Sequence, residues 1–233
     1  MILTWWRSSP WLTLSTGLAL LILLGLGTWQ LQRLQWKQEL IASMQAGLAA
    51  PPRALPSSAS ELPALDFHRV SAGGRLLHDR PLFLGPRQHE RRPGVHLLVP
   101  LMLDDGRVLL VNRGWLPGPD ADTADIHQTG AVMLTGILRT RFAKGPFTPD
   151  YDSAARLWFW YDLDGMARET GLPLLPAVLE ADADADNADG LPISGVTRID
   201  VVNNHLQYAF TWYGLAAALV AVFVVFQRQR NKT

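Results

Sequence analysis

The sequence predicts a membrane protein in which two transmembrane helices flank a mainly antiparallel β extracytoplasmic domain with minor helix. Three observations carry that expectation. No Asp, Glu, Lys or Arg lies between Arg7 and Arg33, and Trp11 to Trp29 is almost wholly apolar. A second stretch without formal charge runs from Asp200 to Arg228 and contains Tyr208–Phe226, YAFTWYGLAAALVAVFVVF. Between these runs the pattern changes to short apolar segments punctuated by Gly, Pro and Asp, as expected of strands joined by turns.

Each apolar run covers 19 residues, roughly 28 Å of helix at about 1.5 Å per residue, which matches the hydrocarbon thickness of a bilayer. The expected organisation is a tail at 1–10, a first span at 11–29, a β-rich domain at 50–202, a second span at 203–226 and a tail at 227–233. Leu31–Ala49 keeps helical spacing through Leu34, Ile41, Met44 and Leu48 until Pro51-Pro52, so the first helix is expected to continue to about residue 49.

Charge sets the orientation. The segment QRQRNKT after Phe226 carries Arg228, Arg230 and Lys232 without an acid, which marks it as cytoplasmic. Two spans put both tails on that side, and all 21 acidic residues lie between the spans. The first run is longer than a signal-peptide core, and the small residues Gly25 and Gly27 make only a weak cleavage site, so it is expected to be retained. Without an arginine-rich presequence, the expected location is a bacterial inner membrane, multi-pass, with a periplasmic central domain.

Within the domain, strands are expected at His68–Leu77, Arg80–Leu84, Val95–Leu103, Arg107–Trp115, Ala131–Thr140, Leu157–Tyr161 and Leu174–Glu180, after which an acidic stretch leads through Ser194–Val202 to the second span. Asp104-Asp105-Gly106 signals a tight hairpin. Asp162 can cap a short helix that runs through Thr170 and ends at Gly171.

Composition excludes several functions. Without cysteine there are no disulfides, thiolate metal sites or iron–sulfur clusters. The five methionines are scattered, which argues against copper delivery. A net charge of zero and the lack of a basic patch argue against nucleic acid as a partner. The tails are too short for a sensor's output domain, and uncharged spans offer no transport pathway. No catalytic motif is present, so the chain is not expected to be an enzyme. Asp182–Asp189 resembles a calcium loop but has Asn187 where the turn glycine belongs and Ile193 where the bidentate Glu belongs, so it reads as a solvated loop. His68, His78, His89, His96 and His127 lack metal-ligand spacing and are expected at the surface or at strand edges.

His205 differs, because it stands at the outer mouth of the second span, where an ionisable group needs a reason to be. His205, Tyr208 and Trp212 share a helical face at i, i+3 and i+7. A neutral imidazole can ligate haem iron and aromatic rings can pack on a porphyrin, yet Asn, His, Tyr and Trp also gather at headgroup level in interfacial belts, and the local pattern by itself favours the belt. On the first helix, Trp29, Arg33 and Trp36 make a matching cluster at the same surface, in which Arg33 or Lys37 could face anionic groups or simply snorkel.

Four blocks in order, LGTWQLQRLQWK (Leu26–Lys37), VNRGWLP (Val111–Pro117), WFWYDLDGMA (Trp158–Ala167) and NNHLQYAFTWYGLA (Asn203–Ala216), resemble the Surfeit-locus-1 family of assembly factors for haem–copper cytochrome c oxidase. The resemblance spans the chain and shares the family's two-helix topology. It implies transient binding of haem a and help with its insertion into oxidase subunit I, with haem a synthase as a further partner besides the lipid bilayer. It places the haem-ligating histidine at His205, with Tyr208, Trp212 and Arg33 around the same group. The family's Gly-Trp pair falls on Gly114-Trp115, where a structural role is expected. The alternative function is a haem-independent scaffold that steadies an oxidase assembly intermediate.

Overall fold

The computed structural model describes residues 10–121, 130–183, 190–195 and 203–230. The chain divides into two compact units, a helical one (Met1–Ser43 with Asp200–Thr233) and a β-rich one (Met44–Ile199). Helices α1 (Pro10–Ala49) and α3 (His205–Arg230) are both long and apolar enough to cross a membrane, and little of either apolar stretch is buried by protein. Their exposed Leu, Ile, Val and Phe side chains are what a lipid-facing helix requires, since hydrocarbon takes the place of a protein core.

The β unit contains β1 (Arg53–Ala54), β2 (Arg69–Leu76), β3 (Leu82–His89), β4 (Arg92–Leu103), β5 (Val108–Leu116), β6 (Val132–Arg139), β7 (Leu157–Trp158) and β8 (Leu174–Ala181). A 3₁₀ helix (Ala59–Leu65) precedes β2, and α2 (Leu163–Thr170) precedes β8. Neighbours follow the order β1-β2-β6-β8-β5-β4-β3-β7, and a further pairing of β2 with β4 returns the sheet on itself. Five strands, β2, β6, β8, β5 and β4, therefore form a closed ring, which leaves those edges no free backbone groups. The closing ladder is short, Gly74–Leu76 against Leu101–Leu103. It depends on Gly74, where a β-carbon would lie 2.2 Å from the Met102 carbonyl oxygen. Pairing is mainly antiparallel, as expected, with parallel contacts at β1–β2, β3–β7 and β5–β8.

Alternation along the strands makes two apolar layers. Leu97, Val99, Leu101, Leu109, Val111 and Leu179 fill the inside of the ring. Leu82, Leu84, Leu98, Leu110 and Val178 form an outer layer with Met166 of α2 and Trp158. Asp162 caps α2 by accepting from the Gly165 amide at 3.1 Å, and Gly171 ends it in the left-handed conformation, both as the sequence indicates. The Asp104-Asp105-Gly106 hairpin also forms, with Gly106 at φ +83° and its amide donating to the Leu103 carbonyl.

Two expectations change. The β3 strand runs on past Gly85-Pro86 to His89, because a register shift between Leu84 and Arg87 absorbs the proline. The strand expected at Leu157–Tyr161 is only Leu157–Trp158, since Tyr161 leaves the sheet to give its hydroxyl to Glu180. Most of Ser194–Val202, and Asp184–Asp189 of the acidic stretch, lie outside the described residues; the described part contributes one bridge, Ile193 to Trp115. That bridge explains Gly114, at φ +129°, where a β-carbon would lie 2.1 Å from the Ile193 carbonyl oxygen.

Gly114→Ala combines a disfavoured backbone conformation with a collision and should destabilise the β unit by about 3 kcal/mol or more. Gly106→Ala is left-handed too but faces open space, and should cost about 1 kcal/mol. Denaturant unfolding of the detergent-solubilised chain compares the two, and equal losses would show that the Ile193 crossing is not tight.

Candidate functional site

In the helical unit, α1 and α3 meet through polar contacts at one end and small residues below them. The Gln30 side chain is buried, and its Oε1 accepts a hydrogen bond from His205 Nδ1–H at 2.7 Å. The Thr28 and Tyr213 hydroxyls are 3.1 Å apart. The Tyr213 ring lies on Gly27, 2.8 Å from where a β-carbon would stand. On α3 the most deeply buried positions of this face are Ala209, Ala216 and Gln227. The small pair Gly214 and Ala218, a natural choice for close helix approach, does not serve it: Gly214 has nothing within 4 Å of a would-be β-carbon and both residues are exposed. The bulky Tyr213 needs a small partner, and that partner stands on the other helix.

The structure brings His205 and Trp212 to half-buried positions but leaves Tyr208 exposed, because i+7 lies within about 20° of i around the helix whereas i+3 is turned about 60° away. Arg33 does not bond to His205; its guanidinium lies 6.0 Å from the Trp29 ring and 5.0 Å from the Trp36 ring, a cation–π ladder along α1. Sequence reasoning missed Gln30. No local signal marks it, since Gln32 two residues on is an equally uncharged amide.

The amide fixes the imidazole. Because an amide oxygen can only accept, His205 Nδ1 is the donor; in the neutral imidazole the lone pair then sits on Nε2, which makes no hydrogen bond among the described residues. Such a nitrogen can supply one axial bond to a metal centre. The described residues contain no cluster of three or more His, Asp or Glu, so a bare ion would find too few ligands here.

A second polar group lies in the β unit. Moving two residues along each strand from the outer apolar layer replaces Leu98 by His96, Leu110 by Asn112 and Val178 by Glu180. Asn112 Nδ2 lies 3.0 Å from His96 Nδ1, 3.2 Å from the Tyr161 hydroxyl and 3.2 Å from Glu180 Oε2. The Tyr161 hydroxyl donates to Glu180 Oε1 at 2.9 Å. Burial, together with the nearby Glu180, pushes the Tyr161 hydroxyl well above its usual range, so it stays a neutral donor. Burial, reinforced by Arg87 and opposed by Glu180, lowers His96 to about 4. The expectation that His96 lies at the surface or a strand edge is therefore corrected: β4 is an interior strand, and the histidine is kept there by the Asn112 amide. His68, His78 and His89 are partly buried, while His127 lies outside the described residues. Trp115 follows Gly114 within β5 and stands against His89, ring centroids 5.5 Å apart.

A family model described as the SURF1 family matches residues 17–217. A SURF1-like protein of Monosiga brevicollis is 36% identical over 219 residues, covering 88% of this chain and 83% of that protein. Surfeit locus protein 1 of Rattus norvegicus is 36% identical over 212 residues, covering 83% of this chain and 68% of that protein. The Homo sapiens protein of the same name is 35% identical over 213 residues, covering 83% and 70%.

The low value at His96 has a consequence for stability. Between about pH 4 and 6.5 the unfolded chain protonates this histidine while the folded one does not, so stability should rise with pH across that window and His96 should add nothing further above it. His96→Gln, which still offers an acceptor to Asn112, should flatten the slope. Unfolding of both proteins at a series of pH values measures the difference, and identical slopes would exclude the contribution.

Proposed function

The chain belongs to the SURF1 family, and from that premise we propose that it is a non-enzymatic assembly factor for haem–copper cytochrome c oxidase, binding haem a transiently and assisting its insertion into subunit I. The observation that best supports this reading is the bond from His205 Nδ1–H to the buried Gln30 amide. In the neutral ring it puts the lone pair on Nε2, with an uncharged amide as the bonded partner, as a neutral axial ligand needs.

The other residues suit the same group. The Trp212 indole N–H is buried with no acceptor among the described residues, an orphaned donor of the kind a ligand can satisfy. Tyr208 presents an exposed ring able to cover a porphyrin face, and Arg33 an exposed cation for its carboxylates. Haem supplies an iron centre that accepts the imidazole lone pair. His205 provides that one bond, Gln30 orients the ring, and the apolar flanks of α1 and α3 keep water from the macrocycle. A single neutral ligand held by an uncharged partner suits a carrier that must give its cargo up. In this reading subunit I is the receiving partner and haem a synthase the donor on the same membrane. The reading includes a bacterial inner membrane with the domain in the periplasm and both tails cytoplasmic, and the basic segment after Phe226 supports that orientation.

His205→Ala should abolish or strongly reduce the Soret band of protein purified from cells that make haem a, while the helix-favouring alanine preserves α3. Gln30→Leu, which removes the acceptor but keeps the ligand, should weaken haem retention about tenfold and shift the band. A wild-type protein without stoichiometric haem would leave the scaffold reading in its place, and equal spectra for wild type and His205→Ala would exclude His205 as the ligand.

Orientation is tested separately. Reporter fusions at Thr233 should behave as cytoplasmic and fusions near Asn187 as periplasmic; an external Thr233 would reverse the topology.

A further inference from the structure

Above the buried group of the β unit lies an open cleft of about 870 Å³, whose charged and titratable lining is Arg87, Glu90, Arg91, Arg139 and Glu180 with His89, His96 and Tyr161. Its charges are unevenly satisfied. Glu180 at the floor is buried, and both its oxygens are engaged, by Tyr161 and by Asn112. Arg139 lies 3.9 Å from Asp66, outside the cleft lining. Arg87 donates only to the carbonyl of its neighbour Pro86, at 3.1 Å, and no carboxylate stands within 4 Å of the Arg87 or Arg91 guanidinium among the described residues.

His96 adds a neutral donor. Asn112 Nδ2 can only donate, so His96 Nδ1 accepts and the ring proton sits on Nε2, which has no acceptor among the described residues. Burial and Arg87 hold the ring uncharged at neutral pH.

The lip is held in place at a cost. Glu90 (φ +49°) and Arg91 (φ +67°) are consecutive left-handed residues in the two-residue turn between the paired His89 and Arg92. Such a turn normally takes Asn-Gly, and two bulky side chains there are strained. Strain of this kind persists where the conformation serves a site. Below the lip, the Trp115 indole donates to the Arg87 carbonyl at 3.4 Å and stands against His89, fixing the end of β3 that carries Arg87.

We propose that this cleft binds a small molecule bearing an oxyanion, a carboxylate or a phosphate, seated on Arg87, Arg91 and the Nε2–H of His96. Guanidinium groups match either anion bidentately, and a cleft of this volume holds a ligand larger than a bare ion. Arg87 and Arg91 supply affinity, His96 supplies direction, and Glu180 shapes the floor without facing the anion, its oxygens being taken. This site is separate from His205 and does not depend on haem binding.

Isothermal titration of the detergent-purified full-length chain with sodium phosphate, and separately with sodium succinate, at fixed ionic strength tests it and distinguishes the two anions. Saturable one-to-one binding of at least one is expected. Arg87→Gln and Arg91→Gln should each weaken it about tenfold or more. His205→Ala and Arg75→Gln, the latter removing an exposed charge elsewhere on the same unit, should leave it unchanged. Arg91 occupies an exposed turn, so its variant reports even if Arg87→Gln fails to fold. No saturable heat with either anion, or equal weakening by Arg75→Gln and Arg91→Gln, would overturn the site.

Discussion

Every residue of β5, from Val108 to Leu116, is buried. Its two faces are covered by different layers, the inside of the five-strand ring and the patch beneath α2. Its backbone is paired on both sides, with β4 antiparallel and β8 parallel. A strand enclosed in this way has no solvent to hydrate a polar side chain, so any it carries must be bonded within the protein. Asn112 meets that requirement by joining β4, β5, β8 and the segment before α2, and the lining of the cleft follows from where that group can form. Gly114, two residues on, opens the space through which the Ile193 segment crosses.

The two histidines of interest are controlled by the same device used in opposite senses. Asn112 donates to His96 Nδ1, which leaves a proton on the outward nitrogen. Gln30 accepts from His205 Nδ1, which leaves a lone pair there. One amide thereby makes a hydrogen-bond donor suited to an anion, the other an electron-pair donor suited to a metal. Neither bond involves a charged partner, since in each the imidazole nitrogen meets a side-chain amide.

Local signals in the sequence were sufficient for elements whose stability is local. Asp104-Asp105-Gly106 makes its hairpin because Gly106 can adopt positive φ, and Asp162 and Gly171 bound α2 because a cap needs only its own helix end. Length and lack of charge were enough for α1 and α3, since a bilayer imposes its thickness on any helix that spans it. Where neighbours decide, the sequence was silent or misleading. Gly214 and Ala218 have the spacing of a packing face, but the match of Tyr213 to Gly27 turns α3 another way.

The same division separates the two sites. His205 stands out along the chain because an ionisable residue at the mouth of an apolar run is anomalous in one dimension. Its partner Gln30, 175 positions earlier, does not, since nothing local distinguishes an amide that will meet a histidine from one that will meet water. His96, Asn112, Tyr161 and Glu180 each look ordinary along the chain, and only the register of β4 on β5 and of β5 on β8 brings them together. Sequence alone determined the capped helix, the tight hairpin and which segments are apolar enough for lipid, because those preferences act within a few residues. Tertiary structure alone decided which polar atoms share a space, because that depends on strand register and helix rotation, quantities fixed by packing between distant segments.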